Sequence, residues 1–181
     1  MSDSVMERAA RLDRSRTVAG SSTFGSGMRL EVTAIAGAPV EAVWRVLTNW
    51  EQQPAWMLDA KSVEVLTPQR AGVGTTIRCP TNLFGVTVDD VMRVTVWRPP
   101  DRLEIQHLGK IISGVAGFEL SPVPADPSRT SIAWWEQIDP PLGAVGEFGA
   151  TRIVRPVLDI IFTRSLRNLV NLVEAEAASG N

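Results

Sequence analysis

The sequence predicts an α+β fold: a curved antiparallel sheet of about seven strands packed on one long C-terminal helix, with two short helices after the first strand. Three observations lead there. Apolar and polar residues alternate in short runs from Met28 to about Gln137, as in half-buried strands. Gly72, Gly74, Gly85, Pro99-Pro100-Asp101 and Gly109 divide those runs by short connections, which join antiparallel neighbours. After Pro140-Pro141 the period becomes helical and stays so to about Ala177. A sheet with one apolar face and a helix with one apolar stripe bury both by packing together, and curvature leaves space between them.

The elements follow in order. Residues 1–27 mix four Arg and three acids with Ser, Gly and Thr and are expected to form a flexible tail. A single domain is expected over 28–177. Met28, Leu30, Val32 and Ala34 alternate with Arg29, Glu31 and Thr33 as the first strand. Pro39 suits a first helical position for a helix to Thr48, with Val43, Trp44 and Leu47 on one face. Trp50 to Met57, broken by Pro54, is expected as one helical turn over the cavity entrance. Strands are expected at Lys61–Leu66, Thr75–Cys79, Val86–Arg98, Arg102–Leu108, Gly114–Pro122 and Thr130–Gln137. The last helix is expected from Thr151 to Ala177, with Val154, Val157, Leu158, Ile161, Leu169 and Leu172 buried. Pro156 must kink it or mark its start.

Composition narrows the function. A chain of 181 residues, 44% hydrophobic, buries a sizeable core without staples. The single Cys79 excludes an internal disulfide. One histidine, His107, excludes His-pair metal motifs, so no metal and no cofactor are expected. A net charge of −2 argues against nucleic-acid binding, which draws most of its affinity from a basic face. No apolar run is long enough to span a membrane and no secretory h-region is seen, so a cytoplasmic monomer or homodimer is expected. Six Trp and five Phe stand beside no Tyr. Rings without phenols suit a greasy cavity with few polar anchors.

Several words of the sequence resemble the SRPBCC or START-like superfamily, most closely its polyketide cyclase/dehydrase-like branch. They are Ala38-Pro39 followed by Val43-Trp44, then Asn49-Trp50 ahead of Pro54-Ala55-Trp56, Val73-Gly74-Thr75, and Trp97-Arg98-Pro99-Pro100-Asp101-Arg102-Leu103. The family usually has Asp where Asn49 stands. The resemblance implies the helix-grip (START/Bet v 1-like) fold with a deep apolar cavity, in a family that binds lipids, sterols, polyketides or hormones and only sometimes catalyses. Fold alone does not choose among these.

Strand alternation chooses the residues that share the cavity. The register Val86, Val88, Met92, Val94, Val96 places Asp90 inward and Arg93 outward. Leu103 and Ile105 carry His107 inward, and Ile132 and Trp134 carry Glu136. His107, Asp90 and Glu136 are the candidate acid/base groups, because an apolar site raises carboxyl and lowers imidazole pKa values. Expected ligand contacts are Trp56, Met57, Met92, Ile105, Phe118, Trp134, Leu158, Ile161 and Ser165. Trp44 is expected in the core, Trp97 outside the barrel mouth, and Trp135 exposed on the outer face. The leading expectation is a carrier or sensor of a hydrophobic small molecule: a lipid, polyketide or aromatic compound. The rivals are an aromatase/cyclase or dehydratase using His107 with Asp90 or Glu136, and an interaction module with a vestigial cavity.

Overall fold

A computed structural model describes residues 28–83, 85–139 and 155–180. The expected tail over 1–27, the link after Pro140 and the helical positions 151–154, Val154 among them, lie outside the described residues. Seven strands form one antiparallel sheet: β1 (Met28–Ala36), β2 (Glu64–Val65), β3 (Thr76–Leu83), β4 (Val86–Arg98), β5 (Arg102–Leu108), β6 (Ser113–Val123) and β7 (Asp126–Ile138). Their order across the sheet is β1-β7-β6-β5-β4-β3-β2. From β2 to β7 each strand pairs with the next in sequence, and β1 closes on β7. That is the meander the short turns predicted.

Between β1 and β2 lie α1 (Val40–Leu47) and a 3₁₀ helix (Trp50–Ala55). Pro39 is the N-cap of α1 in an extended conformation, φ −66° and ψ 157°, one position earlier than expected. At its C-terminus the Trp44 carbonyl accepts both the Thr48 N–H, at 3.0 Å, and the Thr48 hydroxyl, at 2.8 Å. Only Glu64 and Val65 of the expected strand Lys61–Leu66 pair as a strand.

The long helix α2 (Arg155–Ala178) lies against β1 and α1. Pro156 is the second residue of the described helix. The buried stripe is Leu158, Phe162, Ser165, Leu166, Leu169 and Val173. It is rotated from the expected one: Val157 is exposed, and Ile161 and Leu172 pack only at the edge. Leu and Ile recur around much of this helix, so its sequence names no sharp inner face. The sheet decides which residues turn in.

Two local features correct the strand registers. Val86, at the hairpin end of β4 opposite Leu83, is 65% exposed. A bulge between Val94 and Val96 then adds Thr95 to β4, so Trp97 pairs with Leu103 on the inner side. Trp97 therefore packs on the core, edge-on to Trp44 at 5.2 Å and tilted on Trp50 at 6.1 Å. The bulge falls after Asp90 and leaves its inward orientation intact.

On the convex face Trp135 is half-buried instead of exposed. It pairs with Gly117, where any Cβ would come within 2.6 Å of the indole. Arg29 lies over the same ring at 5.1 Å, a cation–π contact. Glycine at 117 thus makes room for a tryptophan.

Candidate functional site

The 3₁₀ segment is not a free-standing lid. Trp50 is 3% exposed and its indole N–H donates to the Arg70 carbonyl at 2.8 Å. Gln53 is buried and its amide donates to the Leu47 carbonyl. The turn after it is tied to α2: the Leu58 N–H donates to the Ser165 hydroxyl at 3.0 Å, and the Asn168 amide donates to the Trp56 carbonyl at 3.3 Å. Asn49 caps no helix N–H with its side chain but donates to Gln52 at 3.1 Å, a bond that an Asp could not make.

Between α2 and the concave face lies a cavity of about 250 Å³. One part of its wall is aromatic. Trp134 stacks on Phe162 at 4.4 Å and on Phe118 at 5.1 Å. Trp56 stands edge-on to Phe118 and Trp134 at 6.3 and 6.0 Å. Met57, Met92, Ile105 and Leu158 also line the space.

Three expected contacts do not reach it. Trp56 is 1% exposed and is absent from the lining, a buttress behind the ring wall. Ser165 is fully buried, with its hydroxyl taken by Leu58. Ile161 packs beside the core, and Phe162 takes the lining place one residue on.

The polar part of the wall brings together all three acid/base candidates. Asp90 and His107 are 4% and 7% exposed. His107 Nδ1–H donates to the Asp90 carboxylate, 2.9 Å from Oδ2 and 3.1 Å from Oδ1. Each stands on its own strand: Met92 pairs with His107, and Asp90 lies two residues before Met92 on the same face. Burial pulls the His107 pKa down, but the hydrogen bond and charge of Asp90, with the charge of Glu136, outweigh it and leave it raised. Nε2 of His107 is buried with no hydrogen-bond partner among the described residues.

Glu136 is pushed up to about 7, chiefly by desolvation, with His107 opposing and the charges of Asp59 and Asp90 adding. That value places its proton within reach of neutral pH. Asp59 also lines the cavity, in the turn after the 3₁₀ helix, and its Oδ1 is buried without a partner among the described residues. Its pKa is raised, first by desolvation, against its own backbone hydrogen bond and with help from Asp90. Asp59 was invisible to strand alternation because it belongs to no strand. Cys79 lines the wall too, and burial lifts its thiol to about 11, far from a reactive thiolate. Among the described residues no Lys or Arg lines the cavity. Among them, too, no group of His, Cys, Asp and Glu could hold a metal ion, and no helix is long and apolar enough to cross a membrane.

Known structures share this architecture. A Thermus thermophilus protein superposes with a TM-score of 0.69 at 16% identity, covering 82% of this chain and 98% of its own. A START superfamily protein from Mycobacterium smegmatis gives 0.59 at 16% identity, covering 86% and 100%. A Deinococcus radiodurans protein gives 0.56 at 17% identity, covering 85% and 100%. At these identities the likeness is one of fold. No curated protein matches the sequence. Residues 28–174 match the family described as polyketide cyclase / dehydrase and lipid transport, and the chain, with its helix-grip sheet and apolar cavity, belongs to that family.

Proposed function

We propose that this protein encloses a hydrophobic small molecule between the sheet and α2, as a carrier or sensor. The observation that carries this reading is the cavity of about 250 Å³ with Phe118, Trp134 and Phe162 stacked in its wall. Such a surface binds by buried area and ring stacking, and asks little polar complementarity of its ligand. An open space of this size speaks against a vestigial pocket. Trp135, held under Arg29 on Gly117, offers less to a protein partner than a free ring would. Native mass spectrometry of gently purified protein should show a retained or added apolar ligand. A bare mass with no uptake from lipid and polyketide mixtures would sink the reading.

The Asp90–His107 pair supports a second reading, a cyclase or dehydratase acting on a poly-β-keto substrate. Asp90 holds the imidazole by Nδ1, which leaves Nε2 to take a proton from the carbon α to a carbonyl. Glu136, with a pKa about 7, would hand a proton to the departing hydroxyl, which leaves as water. The test is His107→Ala with a cyclisable substrate: turnover lost while the ligand still binds supports it, and unchanged turnover removes His107 from the chemistry.

A further inference from the structure

We propose that the polar end of the cavity selects the head group of the ligand: it takes an uncharged hydroxyl and rejects a carboxylate, with Asp59 as the selecting residue. This rests on the reading that an apolar ligand occupies the cavity. Among the described residues the lining carries three carboxyl groups, Asp59, Asp90 and Glu136, against one imidazole and no Lys or Arg. Of these, Asp90 is occupied by His107. Two buried polar atoms of the lining stay without a partner among the described residues, Oδ1 of Asp59 and Nε2 of His107. A buried polar atom without a partner is costly, so a ligand that satisfies it gains affinity. An ionised Asp59 only accepts, and Nε2 of an imidazole bonded through Nδ1–H accepts when neutral and donates when protonated. A hydroxyl group can donate its one hydrogen to Oδ1 and accept from a protonated Nε2 with its oxygen, or donate to a neutral Nε2 instead. A carboxylate has no proton to give Asp59 and would bring a fourth acidic group into a space with no fixed cation. The stacked rings beside this end favour a flat apolar body.

The test compares naphthalene, 2-naphthol and 2-naphthoate by titration calorimetry at pH 7.5. The expected order has 2-naphthol at least tenfold tighter than 2-naphthoate and tighter than naphthalene. If naphthoate binds as well as naphthol, head-group selection is wrong while apolar binding stands. Naphthalene binding as tightly as naphthol also overturns it, because the polar end then contributes nothing. Failure of all three to bind overturns the apolar-ligand reading and this inference with it. The assignment to Asp59 is tested by Asp59→Asn, which removes the charge at nearly constant shape. It should narrow the naphthol-to-naphthoate ratio at least fivefold in protein whose near-ultraviolet circular dichroism matches the wild type. An unchanged ratio removes Asp59 as the selector. The wild-type series decides head-group selection by itself, and should Asp59→Asn fail to fold, Asp59→Ser tests the same residue: a ratio narrowed at least fivefold supports the assignment and an unchanged ratio removes it.

Discussion

The two ends of the cavity are built on opposite terms. At the ring end, Trp134, Phe118 and Phe162 stack on one another, with Trp56 behind them, outside the lining, its buried indole N–H without a partner among the described residues. At the polar end, Asp90 and His107 satisfy each other while Asp59 Oδ1 and His107 Nε2 are left over. Aromatic surface is stabilising whether it meets protein or ligand, because its energy scales with buried area and lacks direction. Polar groups are directional, so a geometry that leaves one unpaired holds a specific demand. On the proposed reading, the ring end holds the fold together and the polar end discriminates.

The largest effect should come from breaking the ring end. Trp134→Ala removes the centre of the stack and should cost about 3–5 kcal/mol, read as a lower urea midpoint. A loss below about 1 kcal/mol would show that the wall is not part of the core. Next, the Ser165→Ala variant separates a structural contact from a ligand contact. Losing the bond from the Leu58 N–H should cost about 1 kcal/mol with ligand affinity unchanged; a matching fall in affinity would return Ser165 to the cavity.

Acidity sharpens the polar end. The folded value of Glu136, about 7, lies above its ordinary 4.5, so the native state binds that proton more tightly. Its contribution to stability is complete below about 4.5 and is lost as pH rises through about 7. His107, also raised, acts in the same direction beyond 6.5. Asp101 and Asp126 are lowered from 3.8 and act only in more acidic solution. Glu136→Gln should therefore flatten the fall in stability between about pH 4.5 and 7.5, and urea midpoints that run parallel in both proteins would falsify the assignment. The smallest effect should be on the convex face, where Arg29→Ala should cost about 0.5–1 kcal/mol by uncovering Trp135, and a larger loss in the melt would mean that this face carries more of the fold than the cation–π contact.

Much of the site was legible in the sequence. Alternation alone turned Asp90, His107 and Glu136 inward, because each shares a strand face with apolar residues two places away. The same rule failed at Trp97, where Thr95 adds a residue that no alternation shows. It could say nothing of Asp59, which sits in a turn, nor of Ser165, whose place in the buried stripe looked the same whether it faced a ligand or a backbone N–H. Trp50 and Trp56 looked like a lid because a short, Pro-broken segment rich in rings has no period to fix its inner face.

The succession of elements and the side of each strand that carries its apolar residues can be read along the chain, since both depend on neighbours in sequence. Pairing came from the folded chain: which face of α2 turns in, that Gly117 receives Trp135, that Asp90 meets His107, and that two polar atoms of the cavity wall are left without partners among the described residues. Periodicity is a local property that short stretches of chain carry, whereas a partner is supplied by a distant strand or helix, and only closure of the sheet around α2 brings the two into contact.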